Sequence, residues 1–189
     1  MKRDVDLLVR NCGQLLTLKG DGLPRRGAAL GDLGLVVNAT LAAFEGRVVD
    51  AGPSDALERA VAPVPGCREI DAGRAVVMPG FVDSHTHTVF AATRLDEYGK
   101  RVLGVPYAEI AKAGGGIAKS VSDLRSMDER ALYDISERRL RGCVSYGSTT
   151  IEIKSGYGLD LDNELKQLRV IRDLSAATSA LVVPTFLGA

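Results

Sequence analysis

The stretch Val77-Met78-Pro79-Gly80-Phe81-Val82-Asp83-Ser84-His85-Thr86-His87 decides how the rest of the chain reads. A Pro-Gly pair interrupts the backbone and a short alternating segment follows, so Phe81 to His87 is predicted to be a strand. Side chains two apart on a strand share a face. Phe81, Asp83, His85 and His87 therefore project together, while Val82, Ser84 and Thr86 face the other way. His85 and His87 are also the only histidines in the chain. Two neutral imidazoles at the end of a buried-looking strand suit one transition metal, at about 2.0–2.1 Å per nitrogen. The plainer alternative is two solvated histidines at a strand end.

Downstream, strands alternate with helices. Ser126 to Arg141 is predicted helical. Ser126 and Glu129 fit a capping box, acidic Asp128 and Glu129 sit at the positive end of the helix dipole, Arg138, Arg139 and Arg141 at its negative end, and Gly142 stops it. Ser148 to Lys154 reads as a second strand and Leu181 to Phe186 as a third. Between them Leu161, Leu165, Leu168, Ile171 and Leu174 recur every three or four residues, predicting an amphipathic helix over Asp162 to Ala176. This order predicts βαβ units and a parallel sheet. Gly114-Gly115-Gly116 lacks the Lys-Ser or Lys-Thr of a phosphate loop and reads as a flexible connection near a ligand mouth.

Upstream, residues 1–76 have another texture, of short β runs between turn residues. Val5 to Val9 and Gln14 to Leu18 are two such runs. Thr40 to Phe44 and Arg47 to Ala51 are joined by Glu45-Gly46, a two-residue link suited to a hairpin. Ser54 offers an N-cap for a short helix through Ala60. Ile70-Asp71 and Ala75 to Val77 flank a turn at Ala72-Gly73-Arg74. Strands with little helix predict a small sheet or sandwich over 1–76, ahead of an α/β domain over 77–189.

Composition narrows the setting. Twenty-four basic and 24 acidic residues cancel to zero net charge, so neither nucleic acid nor an anionic membrane is indicated as a partner. No apolar run approaches the roughly 20 residues of a membrane helix. Asp4 and Asp6 break up the start of the chain, which excludes a signal peptide. Cys12, Cys67 and Cys143 are odd in number and widely spaced. They read as incidental thiols of a cytoplasmic protein.

The residues around the two histidines resemble the first barrel strand of the amidohydrolase superfamily. Thr88-Val89-Phe90 with Arg94, Ala113 to Ile117, Glu152-Ile153-Lys154-Ser155-Gly156-Tyr157-Gly158-Leu159, and Val183-Pro184-Thr185-Phe186-Leu187-Gly188-Ala189 narrow the likeness to the imidazolonepropionase family. The resemblance implies a partial TIM (β/α)8 barrel, about its first three βα units, preceded by part of a small β-sandwich. It implies hydrolysis of the cyclic amide C–N bond of 4-imidazolone-5-propanoate, giving N-formimidoyl-L-glutamate in histidine degradation. His85 and His87 match the family's first pair of ligands to a single zinc or iron, Arg94 its substrate-binding arginine and Tyr157 its substrate-contacting tyrosine. By spacing alone Arg94 is a surface arginine paired with Asp96 or Glu97, and Tyr157 a loop packing residue. Lys154 is read as an ion-pair partner of same-face Glu152, and Asp83 as a support for the histidines.

An eight-stranded barrel takes about 250 residues, far more than follow His85. The later ligands and the histidine that follows Phe-Leu-Gly-Ala in the family are missing. The chain is therefore expected to be the N-terminal part of a longer or split enzyme, inactive alone and completed by a C-terminal half, with a homodimer implied by the resemblance. Other readings are a different amidohydrolase, such as a heterocycle deaminase, or a non-catalytic interaction module.

Overall fold

The computed structural model describes residues 2–188, and the chain divides into two compact units between Pro79 and Gly80. In the first unit, strands β1 (Arg3–Leu16), β2 (Leu35–Phe44), β3 (Arg47–Pro53) and β4 (Val61–Asp71) form a mixed sheet in the order β3-β2-β1-β4. A two-residue strand, β5 (Val76–Val77), pairs with Gln14 and Leu15 of β1. That pairing carries Val77 into the first unit, whose last residue is Pro79. The two runs expected at 5–9 and 14–18 are one strand, which ends at Leu16 and leaves Thr17 and Leu18 outside it. Its ladder slips between Val9 and Cys12, where Asn11 takes a φ of 54°. The other edge of β1, away from β2, serves two parallel partners in turn, β4 along its first half and β5 along its second.

The expected hairpin joins β2 and β3, with φ of 49° at Glu45 and 75° at Gly46. Both central residues are left-handed, the hand that matches strand twist. Helix α1 (Ser54–Ala60) forms where expected, but Ser54 does not cap it. Its hydroxyl bonds Thr40 Oγ1 at 2.8 Å and donates to the Asn38 carbonyl at 3.1 Å. Leu57 of this helix packs with Val5, Leu8, Ala42 and Val61.

The second unit is a parallel sheet of β6 (Phe81–Thr86), β7 (Ser148–Lys154) and β8 (Leu181–Thr185), in that spatial order. Helices α2 (Leu95–Val102), α3 (Tyr107–Lys112), α4 (Ile117–Ser126) and α5 (Glu129–Ser145) lie between β6 and β7, and α6 (Leu161–Ala177) between β7 and β8. Leu132 and Leu140 of α5 and Val170, Ile171 and Leu174 of α6 bury Ile151, Ile153 and Val182. Each such side chain stabilises the fold by roughly 1.5–3 kcal/mol, so this cluster holds α5 and α6 to the sheet. Alternation then puts Glu152 and Lys154 on the opposite face of β7.

Three local expectations are corrected. Ser126 ends α4 instead of starting the next helix. Asp128 is the N-cap of α5, accepting from the Ala131 amide at 2.9 Å, and the Ser126 hydroxyl donates to the Asp123 carbonyl. Gly142 lies inside α5, which runs on to Ser145 and ends before Gly147, where φ is 93°. Gly114 to Gly116 is a packed turn, not a loose one. The Gly116 amide donates to Glu97 Oε1 at 3.0 Å, and a Cβ on Gly115 would lie 2.8 Å from Ile110. Among the described residues no helix is long and apolar enough to cross a membrane.

Candidate functional site

The site forms at the C-terminal ends of β6 and β7. β6 ends at Thr86, so His85 is its penultimate residue and His87 the first beyond it. Their ring centroids are 5.9 Å apart, so the two imidazoles are neighbours. His85 is exposed and His87 half-buried. Asp83 accepts from the His85 amide at 3.4 Å, a weak brace on the strand end. The Thr86 hydroxyl donates to the Glu152 carbonyl at 2.7 Å, which ties β6 to β7 just where the histidines leave the sheet.

His87, Arg94 and Tyr157 line one cavity of about 320 Å³, together with Phe90, Thr93 and Ser120. His85 is not in its lining. The His87 and Tyr157 rings lie 4.9 Å apart, centroid to centroid. Two polar atoms here are buried without a hydrogen-bond partner, His87 Nδ1 and Arg94 Nη1. The latter lies 3.5 Å from Glu97 Oε2, so the pairing of Arg94 with Glu97 weighed from spacing is present. Unpartnered buried polar atoms are rare in folded proteins, so these two carry bonding capacity that the fold does not use.

Burial holds the His87 imidazole below its ordinary pKa, and His85 and Lys154 push the same way against Glu152 and the Ser155 backbone. The ring is thereby kept neutral, the form that ligates metals. Lys154 and Glu152 form the ion pair anticipated from their shared face. Burial pushes the Glu152 carboxyl up, but Lys154, Thr185 and the Thr86 amide outweigh it, and the net shift is downward. An unpartnered ring nitrogen, a neutral imidazole and a second imidazole beside it fit one borderline-soft cation. Among the described residues no three His, Cys, Asp or Glu side chains gather into a metal cluster.

Two supports were not foreseen, because they sit on the buried face of α6. The expected leucine stripe is offset: Leu161 is 70% and Leu165 41% exposed, while Glu164 and Gln167 face inward with Ile171 and Leu174. Glu164 accepts the amides of Gly156 at 2.7 Å, Gly158 at 2.7 Å and Leu159 at 3.0 Å. Gln167 accepts from Gly156 and Tyr157 and donates to the Val89 carbonyl. Polar residues at 164 and 167, in step with Ile171 and Leu174, were the available signal. Arg139 of α5 adds a third hold, donating to the Phe90 carbonyl and stacking 3.5 Å over its ring.

Curated relatives match this chain over nearly its whole length. An imidazolonepropionase of Symbiobacterium thermophilum is 45% identical over 187 residues, 99% of this chain and 44% of that protein. The chain is homologous to the imidazolonepropionases. Those of Solibacter usitatus and Porphyromonas gingivalis are 45% and 40% identical over 97% and 98% of the chain. The chain spans about 44% of the length of these imidazolonepropionases. No protein-family model matches it.

Solved structures share the fold at low identity. A triazine hydrolase variant superposes with a TM-score of 0.61 at 15% identity, over 95% of this chain and 35% of its own. An Escherichia coli guanine deaminase gives 0.60 at 15% identity, over 94% and 35%. A Xanthomonas campestris adenosine deaminase, solved with bound zinc, gives 0.58 at 13%, over 98% and 43%. The chain thus shares the fold of part of these hydrolases and deaminases.

Proposed function

We propose that this chain supplies the metal-binding strand and substrate-anchoring loops of an imidazolonepropionase. The observation that carries the reading is the shared cavity of His87, Arg94 and Tyr157 in a chain 45% identical to such an enzyme. In the proposed reaction water adds its oxygen to the ring carbonyl carbon of 4-imidazolone-5-propanoate, the ring C–N bond breaks, and the departing nitrogen takes a proton. The product is N-formimidoyl-L-glutamate. His85 and His87 would hold one zinc or iron, a Lewis acid that makes bound water acidic and polarises a carbonyl.

The remaining work is positional. The Arg94 guanidinium, with one nitrogen free of hydrogen bonds, suits the propionate carboxylate through two parallel bonds. The Tyr157 phenol can donate to or accept from the ring. Two imidazoles alone fall short of the three protein ligands usual in a catalytic zinc site. The proposed partner is therefore a polypeptide carrying the other barrel strands, with a homodimer of the completed protein also proposed, and the proposed setting is the cytoplasm.

The test is to mix this chain with the unmatched part of the Symbiobacterium thermophilum relative, add zinc, and follow N-formimidoyl-L-glutamate. The mixture should form it and this chain alone should not. Turnover by the chain alone with near-stoichiometric zinc overturns the need for a partner. A mixture that deaminates guanine or adenosine and leaves the imidazolone intact overturns the substrate.

A further inference from the structure

Gln167 is fully buried on the turn of α6 that precedes core residues Val170, Ile171 and Leu174. Such a position ordinarily takes an apolar side chain, and a buried amide is stable only where its bonds are made. Its Nε2 donates to the Val89 carbonyl at 2.9 Å, while its Oε1 accepts from the amides of Gly156 at 3.2 Å and Tyr157 at 3.3 Å. Val89 is two residues past His87, and Tyr157 is held through its own amide. One side chain thus spans the segment after β6, which bears His87 and Arg94, and the segment after β7, which bears Tyr157.

We propose that Gln167 is a positioning residue that sets the separation of His87 and Tyr157 across the pocket. Glu164, one turn earlier, fixes the rest of the same loop through Gly156, Gly158 and Leu159 but makes no bond to the His87 segment. The linking role therefore falls to Gln167. Its consequence for turnover rests on the imidazolone reading above, whereas its effect on geometry does not.

The two histidines make the geometry measurable, because each imidazole gives its own proton NMR signal. At about pH 8 the Tyr157 ring, 4.9 Å from His87, shifts the His87 signal by its ring current. Tyr157→Leu defines the position without that shift. Gln167→Met, close in volume and apolar, should move the His87 signal at least halfway to the Tyr157→Leu value while the dispersed core methyl signals stay in place. In the chain completed with the remaining strands it should raise KM by about 10- to 100-fold and change kcat much less.

A folded Gln167→Met with an unmoved His87 signal overturns the proposal. Should that variant not fold, Gln167→Glu retains the acceptor and loses the donation to Val89, and an unmoved His87 signal there overturns it equally. If neither folds, Gln167 is a core-building residue and the proposal falls. A moved signal in a system whose parent completed protein turns over no imidazolone supports the positioning role and overturns the hydrolase reading alone.

Discussion

The segment after β6 and the segment after β7 face the same cavity, yet they are built in opposite ways. After β7, the amides of Gly156, Tyr157, Gly158 and Leu159 all donate to side chains of α6. After β6, His87 Nδ1 and Arg94 Nη1 are buried with no hydrogen-bond partner. The saturated segment is a rigid wall, stabilised by the fold itself. The segment after β6 is held by α6 and α5 at the Val89 and Phe90 carbonyls, but its His87 and Arg94 side chains keep unused bonding capacity. The difference separates groups that hold the pocket's shape from groups whose bonding capacity the fold leaves unused.

The comparison breaks most sharply at Glu164. Glu164→Ala leaves three amides without their acceptor and should destabilise the fold by about 3–5 kcal/mol in urea unfolding. Gly158→Ala should follow closely, by about 3 kcal/mol, because the new Cβ would lie 2.5 Å from the Glu164 backbone nitrogen. A loss under about 1 kcal/mol in either variant would mean that the wall is not rigid.

Substitutions after β6 should do the reverse. In the completed protein Arg94→Ala should raise KM by roughly 30-fold or more, while unfolding of the chain shifts by less than about 1 kcal/mol. His87→Ala should abolish zinc binding in a calorimetric titration with an equally small change in stability. A large stability loss in either would show that these groups are structural after all.

The smallest effect concerns pH. His87 is held below the ordinary imidazole value of about 6.5, so the folded chain favours the neutral ring. As pH falls through that value the unfolded chain binds the proton first. Stability should therefore be full above about pH 6.5 and decline on acidification until the folded ring also titrates. In the metal-free chain the His87 NMR titration should have its midpoint below 6.5, and Lys154→Met should move it upward by removing a repelling charge. A midpoint above 6.5 would contradict the burial of the ring.

Much of this was legible along the chain because the relevant physics is local. The spacing of His85 and His87 keeps their rings neighbours, 5.9 Å apart, at the end of β6, Glu45-Gly46 carries its own turn geometry, and β7, α6 and β8 follow from hydrophobic period. The capping box at Ser126 misled because three nearby residues, Ser126, Asp128 and Glu129, all satisfy start signals. Only the preceding helix, which runs to Ser126, decides that Asp128 begins the next one. The glycine run looked loose because sequence does not show Glu97 and Ile110 closing on it.

The sequence by itself determined the pair of imidazoles, the order of strands and helices, and the kinship with imidazolonepropionases, since these depend on residue type and spacing. Only the tertiary structure decided that Glu164 and Gln167 displace two leucines from the buried face of α6. A helix rotates to satisfy the most expensive unmet need on its surface. Here the need is amides of a distant loop, whose demand no hydrophobic period records.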